Sequence, residues 1–390
     1  MTHDSLKSQK RICPYSRKCG GCQLQNMTYE KQLEFKQKLV ISLLKKYGYV
    51  EKIIPMKNPF HYRNKVQAMF FQKGKTLMSG IYQSSDKTIT AVDGCLIEDE
   101  TADRIIATVT KLGQSFKYRA YNSETVKGFL RHILVKHGFL SGQVMVVLVT
   151  TDGEFKSQRS FINALLQRHP EITTIVRSIN NQKDGLFLGE NEEILFGNGY
   201  IEEQLCGKTF RISPQSFYQV NPVQTEVLYN KAAEYAALTG KETLLDCYCG
   251  TGTIGIIMAD KARHVIGAEL NADAVTDAKA NAKINNTDNI EFICRDAGEF
   301  MTELAQNNQN ADVVVTDPPR AGCSKAFLQS LVKLSPMRVV YVSCNPNTLA
   351  RDLQYLTENG YKTMKIQPVD MFPYTKHIET VVLLSKLKSK

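Results

Sequence analysis

The chain has 390 residues, 43% of them hydrophobic and 23% charged, the profile of a soluble globular protein with two or three domains. No apolar run reaches the length of a membrane span, and MTHDSLKSQKR has no apolar core behind its basic residues. A membrane-embedded or secreted protein is therefore set aside, and a cytoplasmic location is expected. The formal charge of +10 is unevenly placed: residues 1–75 hold 16 Lys+Arg and 4 Asp+Glu, a net of +12, so the other 315 residues sum to −2. A local cationic excess of that kind suits a polyanion, most simply nucleic acid, with a solubilising surface as the plain alternative.

Residues 1–24 are poor in core formers and rich in Cys, Lys and Gly. Ten cysteines in a cytoplasmic chain point to ligands, nucleophiles or small core residues rather than disulfides. From Thr28, apolar residues recur at helical spacing through Tyr47, and Gly48 is placed to end that helix. HYRNKVQAMFF, TLMSGIY and TITAV read as a β-meander, with QKGK and SSDK as its turns. A helix near 98–112 follows, then strands FLRHILVK and QVMVVLV, a helix near 156–168 and more β segments to about 212. This stretch reads as an α+β domain with antiparallel sheet.

After Ser213-Pro214 the pattern becomes regular β–α alternation. LLDCYC, HVIGAEL, IEFICRD, DVVVTDPP and RVVYVSC are apolar runs that end in polar residues, as in a doubly wound parallel sheet. KTMKIQPVDMF and TVVLLSKL are joined by a loop too short for a crossover helix, so the last strand is expected to be antiparallel. There is no internal repeat.

LLDCYCGTGTIGIIMA predicts a strand, a glycine turn and a helix. Gly250 and Gly252 allow a tight turn and close ligand approach. Glu269, at the end of the next strand, suits ribose hydroxyls, and Asp296, after the third, suits an adenine amino group. A lone G-x-G-x-x-G match is weak evidence for a dinucleotide site. The D-x-x-x-G-T-G start and the acidic strand ends fit S-adenosylmethionine better, because its sulfonium is cationic and it has no pyrophosphate to cradle. A glycine turn without a ligand is the plain alternative.

Asp317-Pro318-Pro319-Arg320 closes the fourth strand. An aromatic residue after such a proline pair would suit methylation of an exocyclic amine. Arg320 stands there instead and suits a phosphate contact. The fifth strand delivers Cys344, and an antiparallel last strand would begin at Glu379 on the same sheet edge. A thiolate adding to carbon 6 of a pyrimidine makes carbon 5 nucleophilic, and a base must then take the carbon-5 proton. Cys344 fits the nucleophile and Glu379 the base. Taken alone, a cysteine at a strand end reads as a small buried residue.

SPQSFYQVNP (213–222), LLDCYCGTGTIG, DPPRAG, YVSCNPNTLARD and KHIE together resemble the RNA (uracil-C5)-methyltransferase family. The resemblance implies a seven-stranded class I methyltransferase sheet with an antiparallel last strand. It implies catalysis by Cys344 and Glu379, and S-adenosylmethionine contacts at Gln219, Tyr248, Glu269 and Asp317, with Thr253 and Asp296 as additions. Cys13, Cys19 and Cys22 form C-x5-C-x2-C, with Cys95 following, and four thiolates suit zinc or a 4Fe–4S cluster. Their spacing resembles the family branch that methylates large-subunit ribosomal RNA and carries a 4Fe–4S cluster.

Many members of that branch begin with a small β-barrel RNA-binding domain of TRAM type, for which this sequence has no room before its cysteines. RNA contacts are expected instead from Tyr62, Arg63, Lys65, Phe129, Arg131, His132 and Arg320, with solvated charges on a sheet face as the alternative. The domains expected are a cysteine segment at 1–24, a linking helix at 25–50, an α+β RNA-binding domain at 51–212 that contributes Cys95, and a methyltransferase domain at 213–390. The expected activity is methylation of a 23S rRNA uridine by a monomeric enzyme. Rival readings are a tRNA uracil-C5 enzyme, another nucleic-acid methyltransferase and a non-catalytic RNA-binding factor.

Overall fold

The computed structural model describes residues 13–83, 88–182, 187–307 and 309–387. The SSDK turn and the basic segment before Cys13 lie outside the described residues. The chain divides into two compact units. One holds the residues through Thr28, Asn58–Glu203 and Ile212–Gln215; the other holds Tyr29–Lys57, Gln204–Arg211 and the chain from Ser216. The helix expected after Thr28 forms as α1 (Tyr29–Leu44) and is part of the second unit.

The first unit is built on a seven-stranded sheet in the order β3-β2-β1-β4-β5-β6-β7. The strands are β1 (Lys65–Lys73), β2 (Thr76–Tyr82), β3 (Ile89–Thr90), β4 (Leu130–His137), β5 (Val144–Thr150), β6 (Ile172–Ile179) and β7 (Asn191–Phe196). Helices α2 (Glu100–Ser115) and α3 (Gln158–Arg168) complete it. Asp99 caps α2 by accepting from the Ala102 amide at 2.9 Å, and Ile105, Ile106, Val109 and Leu112 form its buried stripe. The sheet is antiparallel except for one pair: β5 and β6 run parallel, joined through α3. The antiparallel sheet expected for this region is thus present, with this one parallel pair as the departure. The unbroken apolar run of β5, buried at every position, carried the signal, since a strand covered on both faces does not alternate.

A two-stranded hairpin, β8 (Ile201–Leu205) and β9 (Lys208–Ile212), leads to α4 (Pro222–Ala236). The second unit's sheet has the order β12-β11-β10-β13-β14-β16-β15. Its strands are β10 (Thr243–Cys247), β11 (His264–Glu269), β12 (Ile290–Cys294), β13 (Val313–Thr316), β14 (Arg338–Ser343), β15 (Tyr361–Val369) and β16 (Glu379–Lys386). Pairs β10–β11, β11–β12, β10–β13 and β13–β14 are parallel, and β16 lies antiparallel between β14 and β15.

The remaining helices are α5 (Thr253–Ala259), α6 (Ala272–Ile284), α7 (Ala297–Gln306), α8 (Lys325–Leu334) and α9 (Pro346–Glu358). One core cluster joins the sheet to α1, α7, α8 and α9 through residues such as Leu44, Met301, Leu331 and Leu353. The strand order reverses between β11-β10 and β13, so ligands are expected beyond the carboxyl ends of β10, β11 and β13. The fold matches the class expected from sequence, with seven strands and an antiparallel last one.

Candidate active site

Beyond those strand ends lies a cavity of about 420 Å³, and Gln219, Tyr248, Thr253, Glu269, Asp296 and Asp317 all line it. The loop after β10 makes the space. Tyr248 and Gly252 hold φ of +60° and +79°. A Cβ on Gly252 would come within 2.6 Å of the Phe292 ring, so this turn requires glycine. Glu269 braces the loop by accepting from the Gly250 amide at 3.1 Å through Oε2 and from the Asn271 amide at 2.9 Å through Oε1. Asp296 Oδ1 caps α7, accepting from Gly298 at 2.9 Å and Glu299 at 3.0 Å. The Tyr248 ring leans on Phe327, with centroids 5.2 Å apart.

Behind the loop Asp246 is fully buried. Its Oδ2 accepts from the Gly255 amide at 2.8 Å, while its Oδ1 has no partner. Burial, opposed by that hydrogen bond, and then the charges of Asp317 and Glu269 push its carboxyl up to about 7. Burial pushes Asp317 up to about 7 as well. A cavity lined by Glu269, Asp296 and Asp317, with Asp246 buried behind its loop, favours a cationic ligand. That fits a sulfonium nucleoside: charge-compensating carboxylates at one side, acceptors at the strand ends for ribose and base.

Sequence reasoning missed Tyr218, Tyr229 and Arg295 on this wall. The Tyr229 side chain hydrogen-bonds Gln219. Tyr229 sits mid-helix in α4, where an aromatic residue reads as ordinary core, so nothing local marked it.

The second centre adjoins the first through Asp317. Asn345 caps α9, accepting from the Asn347 amide at 3.1 Å, and Pro346 opens the helix, so Cys344 is held between the end of β14 and a rigid helix start. Ser343 pairs with Thr380 across β14 and β16, which sets Cys344 and Glu379 at the next step of the register. Glu379 is 4% exposed. Burial first, and then the charge of Asp317, raise its carboxyl well above the usual range, while Arg320 opposes them. Burial and the charges of Glu379 and Asp317 push the Cys344 thiol up to about 11, and Arg320 again pulls down.

Arg320 donates to the His377 ring at 3.0 Å, and its carbonyl accepts from Asn345 Nδ2 at 3.1 Å. Asp352 ties the region together. It is fully buried and accepts from Tyr341 Oη at 2.6 Å and from the Cys323 amide at 2.8 Å, while Arg351 donates to the carbonyls of Ala321 and Cys323. The loop bearing Arg320 and the strand that delivers Cys344 are thus joined through α9.

The family model described as tRNA (uracil-5-)-methyltransferase matches residues 28–387. This chain belongs to that family. An RNA methyltransferase of Clostridium tetani, itself described as uncharacterized, is 44% identical over 377 residues, covering 96% of this chain and 82% of its own length. A Listeria innocua relative of the same description is 43% identical over 393 residues, covering 99% and 86%. Among solved structures, the Pyrococcus abyssi tRNA (uracil-54, C5)-methyltransferase in complex with S-adenosyl-L-homocysteine superposes with a TM-score of 0.81 at 31% identity, over 94% of this chain and 86% of that one. The protein is an RNA (uracil-5-)-methyltransferase.

Other residues of this methyltransferase singled out from sequence lie in the first unit. Cys13, Cys19, Cys22 and Cys95 are free and half-buried. Burial raises the Cys19, Cys22 and Cys95 thiols, and their neighbours include one another and Cys13. The donor types suit a metal cluster and gather in one neighbourhood. Among the described residues, however, no three His, Cys, Asp or Glu side chains are set to hold a metal ion.

The Tyr62 ring is 1% exposed, so it is core and cannot stack on a base. Phe129 packs among Tyr118 and Phe155, with Arg177 over its face. Arg131 donates to the carbonyls of Asn180 and Gln182 and lies 4.3 Å over the Tyr121 ring. His132 faces Phe187 at 4.5 Å, and burial followed by the Arg131 charge lowers its imidazole to about 4. Arg63 bridges to Glu98 through the backbone, and Lys65 opens β1, where burial lowers its ammonium. No helix among the described residues is long and apolar enough to cross a membrane.

Proposed function

We propose that the enzyme methylates carbon 5 of a uridine in large-subunit ribosomal RNA through a covalent bond between Cys344 and carbon 6. The observation that carries this reading is that Cys344 and the buried Glu379 stand one step past the Ser343–Thr380 pair, both within the field of Asp317, which lines the cofactor cavity. Gln219, Tyr248, Thr253, Glu269, Asp296 and Asp317 would hold S-adenosylmethionine, which when bound supplies an electrophilic methyl group. Cys344 as thiolate forms the bond to carbon 6 and sends the ring π electrons toward carbon 5 and the O4 oxygen. After carbon 5 is methylated, the Glu379 carboxylate takes its proton. The electrons restore the carbon 5–carbon 6 double bond, and the thiolate leaves. Arg320 favours both anions of the pair. The target base must leave its stack to reach Cys344.

The ribosomal target rests on the cysteine spacing, for which we also propose a 4Fe–4S cluster on Cys13, Cys19, Cys22 and Cys95 that shapes an RNA-binding surface in the α+β region. Anaerobically purified protein should contain iron and acid-labile sulfide. Zinc without sulfide would replace this assignment. A tRNA target is the second reading, favoured by the similarity to the solved Pyrococcus abyssi tRNA enzyme. Mass-spectrometric mapping of 5-methyluridine in rRNA and tRNA from a deletion strain separates the two. A missing rRNA mark supports the proposal, and a missing tRNA mark replaces it.

A further inference from the structure

The Cys344 groove has a wall that the chemistry above does not use. Phe35 and Leu39, one turn apart on α1, line the same cavity of about 330 Å³ as Cys344, Arg320 and Lys376. Phe35 is 40% exposed, whereas Val40 and Leu44 of the same helix are buried in the core it joins. The exposure is enforced from the next residue. Lys36 is fully buried and donates from Nζ to Asp370 Oδ1 at 2.6 Å and to the Phe372 carbonyl at 3.0 Å. Tyr29 Oη donates to Asp370 Oδ2 at 2.8 Å, and Gln32 Oε1 accepts from the Tyr374 amide at 2.7 Å. Tyr29, Gln32 and Lys36 therefore bolt one stripe of α1 to the segment that continues through Lys376 and His377 to Glu379, and the adjoining stripe is left facing the thiol.

We infer that Phe35 is a stacking platform for the nucleotide beside the target uridine, with Lys376 and Arg320 meeting its phosphates. The inference rests on the RNA-methylating role proposed for Cys344 and names what occupies the rest of its groove. An aromatic face is a sequence-tolerant partner for an unstacked base, and the cations around it match a phosphodiester backbone. A flipped uridine leaves its neighbour without a stacking partner on one side, and Phe35 supplies one next to the nucleophile.

The test uses the full chain and whichever transcript, unmodified rRNA or tRNA, the wild-type enzyme methylates. Phe35→Ala should raise the KM for RNA roughly tenfold, from the energy of one base–aromatic stack. Phe35→Trp should restore it, while S-adenosylmethionine affinity and iodoacetamide labelling of Cys344 in the free enzyme stay as in the wild type. An unchanged KM in Phe35→Ala, or a Trp variant as poor as the Ala variant, overturns the inference. Lys376→Gln provides a readout independent of α1. It should make the slope of log KM against log salt shallower by about 0.7, the share of one phosphate on a single strand, and an unchanged slope overturns the phosphate contact. If the wild type methylates neither RNA, the functional reading fails. Binding of fluorescein-labelled oligouridylate by wild type and Phe35→Ala then still decides the stacking role.

Discussion

Cys344 and Glu379 stand one step past the Ser343–Thr380 pair, on strands that run in opposite directions. The geometry divides the work between them, and the two should fail differently. Cys344→Ala should abolish methyl transfer while binding S-adenosylmethionine normally, as read by calorimetry. Glu379→Gln should transfer the methyl group and then stall, leaving an RNA–protein adduct that survives denaturing gel electrophoresis. Methylation of uridine by Cys344→Ala would remove the covalent mechanism.

The carboxyl groups around the cavity link stability to pH. Asp246 and Asp317 ionise near pH 7 in the fold, and Glu379 is raised too, against unfolded values of about 4. A folded value above the unfolded one means that the fold prefers the proton. Stability from Asp246 and Asp317 is therefore present below about pH 4 and is lost as pH rises toward 7, and Glu379 acts in the same direction. A cation in the cavity offsets that loss. The extra rise in melting temperature given by S-adenosylmethionine over S-adenosylhomocysteine should grow between pH 5.5 and pH 8. Equal shifts by the two ligands at both pH values would refute the electrostatic match.

Arg320 opposes the burial that raises Cys344. Iodoacetamide labelling of Cys344 in the free enzyme should accelerate about tenfold per pH unit toward pH 11, following the thiolate fraction. Arg320→Gln should slow labelling several-fold at pH 8.5, because losing the guanidinium raises the thiol further. A variant labelled at the wild-type rate would show that Arg320 does not act on the nucleophile.

Asp352 holds the Arg320 loop and β14 together through α9. Asp352→Asn removes a buried charged acceptor and should cost about 2–3 kcal/mol in urea unfolding. It should also lower kcat more than it alters S-adenosylmethionine affinity, because the loop it anchors faces Cys344. A loss of stability with unchanged kcat would make the residue purely structural.

The nucleotide-type sheet was legible because each strand in it is a short apolar run that ends in a residue with chemistry, and Asp246, Glu269, Asp317 and Cys344 sit at those ends. Glu379 followed from one length argument, the short link between β15 and β16. Gln219 came only through family resemblance, since FYQVN has no periodicity to place it. The parallel β5–β6 pair was missed because a continuous apolar run was read by its neighbours rather than by its own lack of alternation. Tyr62 was misjudged because β patterning near a strand start does not say which face is solvated. The Lys36–Asp370 pair spans 334 positions, beyond anything local pattern can reach.

The antiparallel insertion of β16 also has a consequence for synthesis. A ribosome that has translated only as far as residue 378 has already made the nucleophile, the glycine turn and every strand that flanks β16. Such a chain leaves β14 and β15 each with an open edge. The residues that close the gap are the same ones that bring the proton acceptor. A prematurely terminated product thereby lacks the proton acceptor and exposes unpaired strand edges that are prone to stick.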